Sequence, residues 1–488
     1  MSTAFEVQPS EVDLRDQQFE NNRKAWAQVL DRLENALMTA SGEGDPQYLQ
    51  RHQSRGQLLP RDRIALLLDS DSPFLELCPF AGYGNPDSTP AANLIAGIGL
   101  VSGRMCMVMS HIPTQSGGAW NEMTVVKTNR ILAIASENDI PLISLVQSAG
   151  VFLPQQFQVF HKTGQLFYDL AVRTLRGQAS CAIVFGSSTA GGAYHPALSD
   201  YTIFVQDQAQ AFLGGPPLVK IATGEVIDAE QLGGAGVHGF QTGLADQVAM
   251  DEFDAIHKAR DWTASLSPKP LCALPQNNVE PRPPRYSAED LLALVNPDIR
   301  KSFDMKEVIL RLVDDSRMSV FKPKYGSNML TTWAHIMGFR VGIVANQVPI
   351  INPNEARKTA QFIRMCNQQS TPIIFLHNVT GFMVGAKAEH AGIIKMGAQL
   401  LAGVMEQIQM AKIGPQGSES ATRKVQEQTA QFKVRVQHDA ESYTTSSHVI
   451  DDGVIDPRDT RDILGMCLEV VSNGPIATGK EFRALARI

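Results

Sequence analysis

A six-residue pattern occurs twice in the chain and limits its fold more than any other feature. Ile140-Pro141-Leu142-Ile143-Ser144-Leu145 is echoed by Thr371-Pro372-Ile373-Ile374-Phe375-Leu376. A proline followed by an unbroken apolar run, bounded by turn residues, predicts a buried strand. The surroundings match in order. A hairpin region precedes each copy, with strands over Leu94 to Val101 and Met105 to Met109 in one case and Gly338 to Val344 in the other. Helical spacing covers Met123 to Ser136 and Glu355 to Cys366 before the strand, and Phe157 to Leu175 and Ile393 to Ile408 after it. A chain of 488 residues is too long for one ordinary core. A layered α/β unit present in two copies satisfies both observations.

The first copy continues further than the second. Ala182 to Phe185 predicts another buried strand, followed by the small-residue run Gly186-Ser187-Ser188-Thr189-Ala190-Gly191-Gly192-Ala193-Tyr194. Glycines let the backbone turn sharply and approach a ligand closely. A strand, a glycine loop and a helix start present N–H groups that can hold an anion or a developing oxyanion. Taken alone, such a loop is more often a plain turn. In the second copy Lys412-Ile413-Gly414-Pro415-Gln416-Gly417 stands where the strand and loop are expected, and a polar helical stretch, Ala421 to Asp439, follows. The sequence therefore predicts a second unit truncated where the first carries its loop.

Composition excludes several function classes. A formal charge of -7 and a pI near 5.9 give no reason to expect nucleic acid or an anionic membrane as partner. Six cysteines lie far apart with no metal-site or disulfide spacing, which predicts a reducing compartment. No apolar run is long enough to span a bilayer. Glu6, Glu11, Asp13, Asp16 and Glu20 make the start acidic, unlike a signal peptide or a mitochondrial presequence. The expectation is a cytoplasmic protein, or a mitochondrial-matrix one in a eukaryote. The expected division is a helical arm over 1–45, a first domain over 46–270, a proline-rich linker over 271–290 and an incomplete second domain over 291–488.

Several polar residues have competing readings. Arg61 and Arg63 could meet phosphates, but a solvated helix face is the commoner outcome of such a pattern. Asp246 and Asp251-Glu252 read as charged surface. Tyr201 to Val205 and Gln210 to Leu213 read as strands, and 214–238 as a long glycine- and proline-rich loop. His195, His238 and His377 lack acidic neighbours at triad spacing and read as hydrogen-bonding residues. Lys220 could meet an anionic ligand or stay solvated.

Longer motifs carry a family resemblance. They are Arg55-Gly56-Gln57-Leu58-Leu59-Pro60-Arg61, Ser72-Pro73-Phe74-Leu75-Glu76-Leu77, the Ser187 to Tyr194 loop and Pro216-Pro217-Leu218-Val219-Lys220 with Ala222-Thr223-Gly224-Glu225. Leu232-Gly233-Gly234-Ala235, Asn378 to Gly385 and Asp451 to Pro457 complete the set. In order and spacing the chain resembles the carboxyltransferase β subunit of biotin-dependent acyl-CoA carboxylases, nearest the methylcrotonyl-CoA and geranyl-CoA members. The resemblance implies two ClpP/crotonase-like domains of ββα spirals, the second truncated. It implies transfer of a carboxyl group from carboxybiotin to a coenzyme A thioester, with biotin carried by a biotin carboxylase/carboxyl carrier α subunit. It also implies a homo-oligomer of head-to-tail dimers.

On that resemblance the backbone of Gly191, Gly192 and Ala193 forms the thioester oxyanion hole. Ser148, Gly150, Ser188, Thr189, Tyr194 and Lys220 bind substrate, and Gly381, Phe382, Met383 and Gly385 lie on the biotin side. Three departures stand out. The glycine loop of the second domain is missing after Ile413, Ser148-Ala149-Gly150 replaces Ser-Gly-Gly, and Thr114-Gln115-Ser116-Gly117-Gly118 lacks a lysine before its glycine pair. Three functions remain open at this point. They are a working carboxyltransferase, a catalytically degenerate homologue acting as an assembly or binding partner, and a crotonase-fold acyl-CoA decarboxylase or hydrolase.

Overall fold

The structure is a computed structural model, and it describes residues 5–267, 279–298, 301–408 and 441–473. These fall into two compact units. One, here the N-terminal unit, draws on Glu34–Pro270 and Ser420–Val454; the C-terminal unit draws on Met1–Leu33, Leu271–Glu419 and Ile455–Ile488. Among the described residues no helix is long and apolar enough to cross a membrane.

Among the described residues fifteen strands, β1 to β15, are numbered in chain order. In the N-terminal unit, β2 (Phe74–Glu76), β3 (Leu94–Val101), β4 (Arg104–His111), β5 (Leu142–Ser148), β6 (Ser180–Thr189), β7 (Tyr201–Val205) and β9 (Gln247–Ala249) form a sheet in that order, and β8 (Gln210–Phe212) pairs with the end of β6. β3 and β4 are an antiparallel hairpin; from β4 onward the pairing is parallel. The hairpin closes at Ser102 (φ 50°) and Gly103 (φ 74°), the two left-handed residues that a tight primed turn requires. Helices Glu122–Glu137 and Gln156–Leu175 make the crossovers that parallel strands need. The first helix begins with a reciprocal cap between Asn121 and Thr124. The central strands carry the core, with Ile143, Leu145, Ile183, Val184 and Phe185 all buried.

In the C-terminal unit, β1 (Glu6–Val7), β10 (Arg317–Val320), β11 (Met329–Ile336), β12 (Phe339–Asn346) and β14 (Ile373–Leu376) form a sheet in that order. β13 (Ile350–Ile351) pairs with β15 (Gly381–Phe382). The β11–β12 hairpin turns at Met337 (φ 49°) and Gly338 (φ 81°), the same solution as before. Helix Pro353–Gln368 precedes β14, which pairs in parallel with β12. Among the described residues no strand lies on the outer edge of β14. The stretch from Ile413 to Asp439, where the truncation and the polar helix are expected, lies outside the described residues.

Four sequence expectations are corrected. The strand expected to stop at Phe185 runs to Thr189, because Ser187, Ser188 and Thr189 pair with β8. The long loop expected over 214–238 is instead largely helical, with Pro216–Thr223 started by prolines at its first positions and Ala229–Gly233 capped by Asp228. Arg63 is neither solvated nor open to phosphate, but is a buried partner of Glu252, and Arg61 pairs with Glu76. Glu252 is therefore interior rather than charged surface, whereas Asp246 and Asp251 are exposed as expected.

Candidate oxyanion site

The site in the N-terminal unit is built where β5 and β6 end together. β5 shifts register between Val146 and Ser148, which brings Ser148 opposite Ser188. Both serines are fully buried, so each hydroxyl must find partners. Ser148 Oγ donates to the Gly118 carbonyl at 2.7 Å and accepts from the Gly150 N–H at 3.2 Å. Ser188 Oγ donates to the Gly192 carbonyl at 2.7 Å. A Cβ on Gly192 would lie 3.2 Å from Ser188 Oγ and 3.4 Å from Ser148 Cβ, so glycine lets the turn settle onto the two serines. Gly150 has φ 87°, and a Cβ there would lie 2.8 Å from the Thr189 carbonyl.

A single residue converts strand into helix. Ala190 takes φ 53° and ψ -117°, a strained conformation for a residue with a side chain, and its N–H is tied to the Phe212 carbonyl at 3.0 Å. Helix Gly191–Ala197 starts at once. The Ala190 carbonyl accepts from Ala193 at 3.0 Å and from Tyr194 at 3.4 Å. Gly191 and Gly192 are left with backbone N–H groups that have no acceptor among the described residues. Gly192 is buried, and a buried N–H without a partner is rare in a folded protein. The pair is suited to an oxygen atom brought by a ligand.

The wall beside the pair is aromatic. Trp120 donates its backbone N–H to the Gly150 carbonyl at 2.8 Å, and a Cβ on Gly191 would lie 3.3 Å from its ring. Its indole N–H donates to His111 Nε2 at 2.9 Å. Phe167 and Tyr194 meet edge to face at 5.9 Å, and Tyr194 is half exposed. Burial pushes the His111 imidazole down to about 4 and the His195 imidazole down to about 3, so both are neutral near pH 7. His195 Nε2 is 2.9 Å from the Ser144 hydroxyl. His238 bonds the Ala211 carbonyl and the Thr242 hydroxyl, and His377 stacks on Phe375.

The other expected residues fall into two groups. Thr189 is the last residue of β6, beside the Ala190 turn, so Ser148, Gly150, Ser188, Thr189 and the 191–194 run are together. Lys220 is exposed on helix Pro216–Thr223 and has no hydrogen bond to that cluster. Gly381, Phe382, Met383 and Gly385 belong to the C-terminal unit. Gly381 and Gly385 take φ 152° and 107°, the Met383 N–H donates to the Ile351 carbonyl at 2.9 Å, and the Phe382 ring covers Gly397. Phe382 and Met383 remain partly exposed rather than entering the core.

Sequence reasoning missed the support beneath this site. Arg63 and Glu252 form a buried ion pair under β5 and β6, and Arg63 also donates to the half-buried Gln147. Arg311 likewise bonds Glu307 in the interior of the C-terminal unit. The signal available in the sequence, charged residues flanking an apolar run, is the same for a surface residue as for these.

Comparisons with known proteins agree with one another. Residues 51–412 match the carboxyl transferase domain family. The probable biotin-dependent acyl-coenzyme A carboxylase beta2 subunit of Mycobacterium tuberculosis is 39% identical, covering 93% of this chain and 95% of that protein. The mitochondrial methylcrotonoyl-CoA carboxylase beta chain of Arabidopsis thaliana is 35% identical, covering 96% and 90%. The crystal structure of the geranyl-CoA carboxylase beta subunit of Pseudomonas aeruginosa superposes with a TM-score of 0.81 at 30% identity, covering 96% of this chain and 98% of that one. The first of these alignments runs over 505 positions while using 93% of a 488-residue chain, so it places gaps on this chain's side. The fold, the family match and the curated relatives lead to one conclusion: the chain belongs to the carboxyl transferase family, with the crotonase-like fold of the β subunits of biotin-dependent acyl-CoA carboxylases.

Proposed function

We propose that this chain is the carboxyltransferase subunit that moves a carboxyl group from carboxybiotin to 3-methylcrotonyl-CoA or a related branched enoyl-CoA. The observation that carries the reading is the pair of unpartnered N–H groups on Gly191 and Gly192, in a chain similar to subunits with those substrates in their names. Carboxybiotin, held on an α subunit, supplies the carboxyl group and the base that takes a proton from the γ-carbon of the enoyl thioester. Loss of that proton sends negative charge to the thioester oxygen. Gly191 and Gly192 donate to that oxygen without adding a formal charge to the groove. Ser188 on the Gly192 carbonyl and the Ala190 carbonyl on the Ala193 N–H hold the Gly192–Ala193 peptide at both ends. Ala193 is thus part of the frame rather than a third donor.

Ser148 and Gly150 set the floor of the thioester site, and Thr189 and Tyr194 border it. Lys220 is the residue available to the phosphates of coenzyme A. Gly381, Phe382, Met383 and Gly385 form the biotin side, where two left-handed glycines and two partly exposed apolar side chains suit a flat, uncharged ring. The working assembly is a homo-oligomer of head-to-tail dimers joined by the α subunit. Purified with a biotinylated α subunit, ATP and bicarbonate, the chain carboxylates 3-methylcrotonyl-CoA; absence of turnover with every branched enoyl-CoA and short acyl-CoA overturns the proposal.

A second reading, a degenerate homologue retained for assembly or binding, is favoured by one observation. The four apolar residues of β14 are only partly buried, whereas the matching β5 is buried along its length apart from Gln147. An in-frame segment recovered from the transcript between Ile413 and Gly414 counts against this reading.

A further inference from the structure

We infer that Arg63 and Gln147 are positioning residues for the Gly191–Gly192 donor pair, an inference that rests on the oxyanion-site reading above. Arg63, in helix Pro60–Leu67, has a side chain only 1% exposed. Its Nε and Nη2 donate to the two oxygens of Glu252 at 2.8 and 2.7 Å, so its charge already has a bidentate partner. Its Nη1 makes a separate bond, to Gln147 Oε1 at 2.9 Å. The guanidinium also lies over the Phe185 ring, 4.2 Å from its centre. Arg63 therefore grips β5 through Gln147 and β6 through Phe185.

Gln147 occupies the register shift of β5, the irregularity that sets Ser148 opposite Ser188. Its side chain runs across Gly186, where a Cβ would come within 2.4 Å of Gln147 Nε2. Its carbonyl presses on Gly118, where a Cβ would also come within 2.4 Å, and the Gly118 carbonyl in turn accepts from Ser148. A bulge re-aims the residues after it, and a strand freed of its bulge moves each side chain to the other face. The buried cation holds the side chain of this bulge and two glycines make room for it. What the bulge secures is the Ser148–Ser188–Gly192 alignment, and with it the direction of the Gly192 N–H.

Removing Arg63 leaves Glu252 buried and unpaired, so the test uses Gln147, which is half-buried. The probe is 3-methylcrotonyl-CoA labelled with carbon-13 at the thioester carbonyl, bound to the full chain and read by infrared difference spectroscopy. The wild type lowers the carbonyl stretch, as two aligned donors must. Gln147→Met binds the thioester within about threefold of wild type and keeps its thermal midpoint, yet loses most of the shift; with the α subunit its kcat falls about 10²-fold while KM holds. Gly186→Ala, which displaces the Gln147 side chain, shows the same loss. Gln147→Glu keeps an acceptor for Arg63 and keeps the shift. A full shift in both Gln147→Met and Gly186→Ala overturns the inference, and so does a Gln147→Glu as damaged as Gln147→Met. A wild-type chain that binds the thioester with no shift overturns the oxyanion-site reading itself, and this inference with it.

Discussion

In the N-terminal unit β4 leads to β5, then to β6, then to the Ala190 turn; in the C-terminal unit β12 leads to β14, and among the described residues no strand follows on that edge. Up to that point the two copies agree in detail. Each has a hairpin closed by two left-handed residues. Each follows it with a helix whose sixth residue is a buried lysine, Lys127 in one and Lys358 in the other. Lys127 donates to the carbonyls of Ala91 and Leu94 at 3.3 and 2.6 Å; Lys358 donates to those of Gly326 and Met329 at 3.4 and 2.9 Å. Leu94 and Met329 each begin the first strand of their hairpin, and Ala91 and Gly326 each lie at a left-handed bend just before it. The scaffold is duplicated down to single hydrogen bonds, and the described parts of the two copies diverge at the edge where the N-terminal unit carries its proposed oxyanion loop.

The largest effect that would break this contrast is expected at Gly192. Gly192→Ala sets a Cβ 3.2 Å from Ser188 Oγ and turns the N–H away. Carboxylation should fall about 10²–10³-fold, the usual cost of one lost oxyanion donor, with thioester affinity little changed. Gly397→Ala in the C-terminal unit, where the Cβ meets the Phe382 ring at 3.3 Å, should cost far less. Steady-state rates of the two variants compare the units directly.

The matched lysines sharpen the contrast through pH. Burial holds the Lys127 ammonium down at about 8, against an ordinary 10.5. Between these values the unfolded chain binds more protons than the folded one, so stability rises with pH through that window. Lys127→Met should flatten the rise in urea midpoint. Lys358, whose ammonium burial also lowers, should give the same sign and a smaller effect on replacement.

On the acid side His195 is the probe. Its imidazole is held down at about 3, against 6.5, so the folded state gives up stability as pH falls below about 6.5. His195→Gln, which keeps a partner for Ser144, should reduce that loss in thermal midpoint between pH 6.5 and 4.5. The smallest effect is expected at Asp452, which binds Arg130 in a bidentate pair and ties residues 441–454 to the N-terminal unit. Both side chains are more than a third exposed, so Asp452→Asn should cost under about 1 kcal/mol in a denaturant titration.

The sequence announces the parts of this fold that obey period and punctuation. The apolar runs at Leu142 and Ile373, the hairpin glycines and the crossover helices are all visible because their spacing follows from burial on known faces. The glycine loop was legible as a place, but its conformation was not. Ser187 and Ser188 carry no β signal of their own, and the run to Thr189 is strand because β8 returns to pair with it. The 214–238 stretch has the glycine and proline content of a loop, yet its prolines open a helix and Gly224 closes it. Arg63, Glu252 and Lys127 were not legible at all. A charged residue at a helix start has the same pattern whether solvent or a buried carbonyl receives it, and only tertiary packing decides.

The most direct test runs the transfer in reverse with the chain alone. Given the carboxylated enoyl-CoA and free biotin, the wild type should release 3-methylcrotonyl-CoA at a rate that depends on biotin, and Gly192→Ala should slow the release about 10²–10³-fold. Release independent of biotin, or none from a wild-type chain that binds the thioester, would contradict the account.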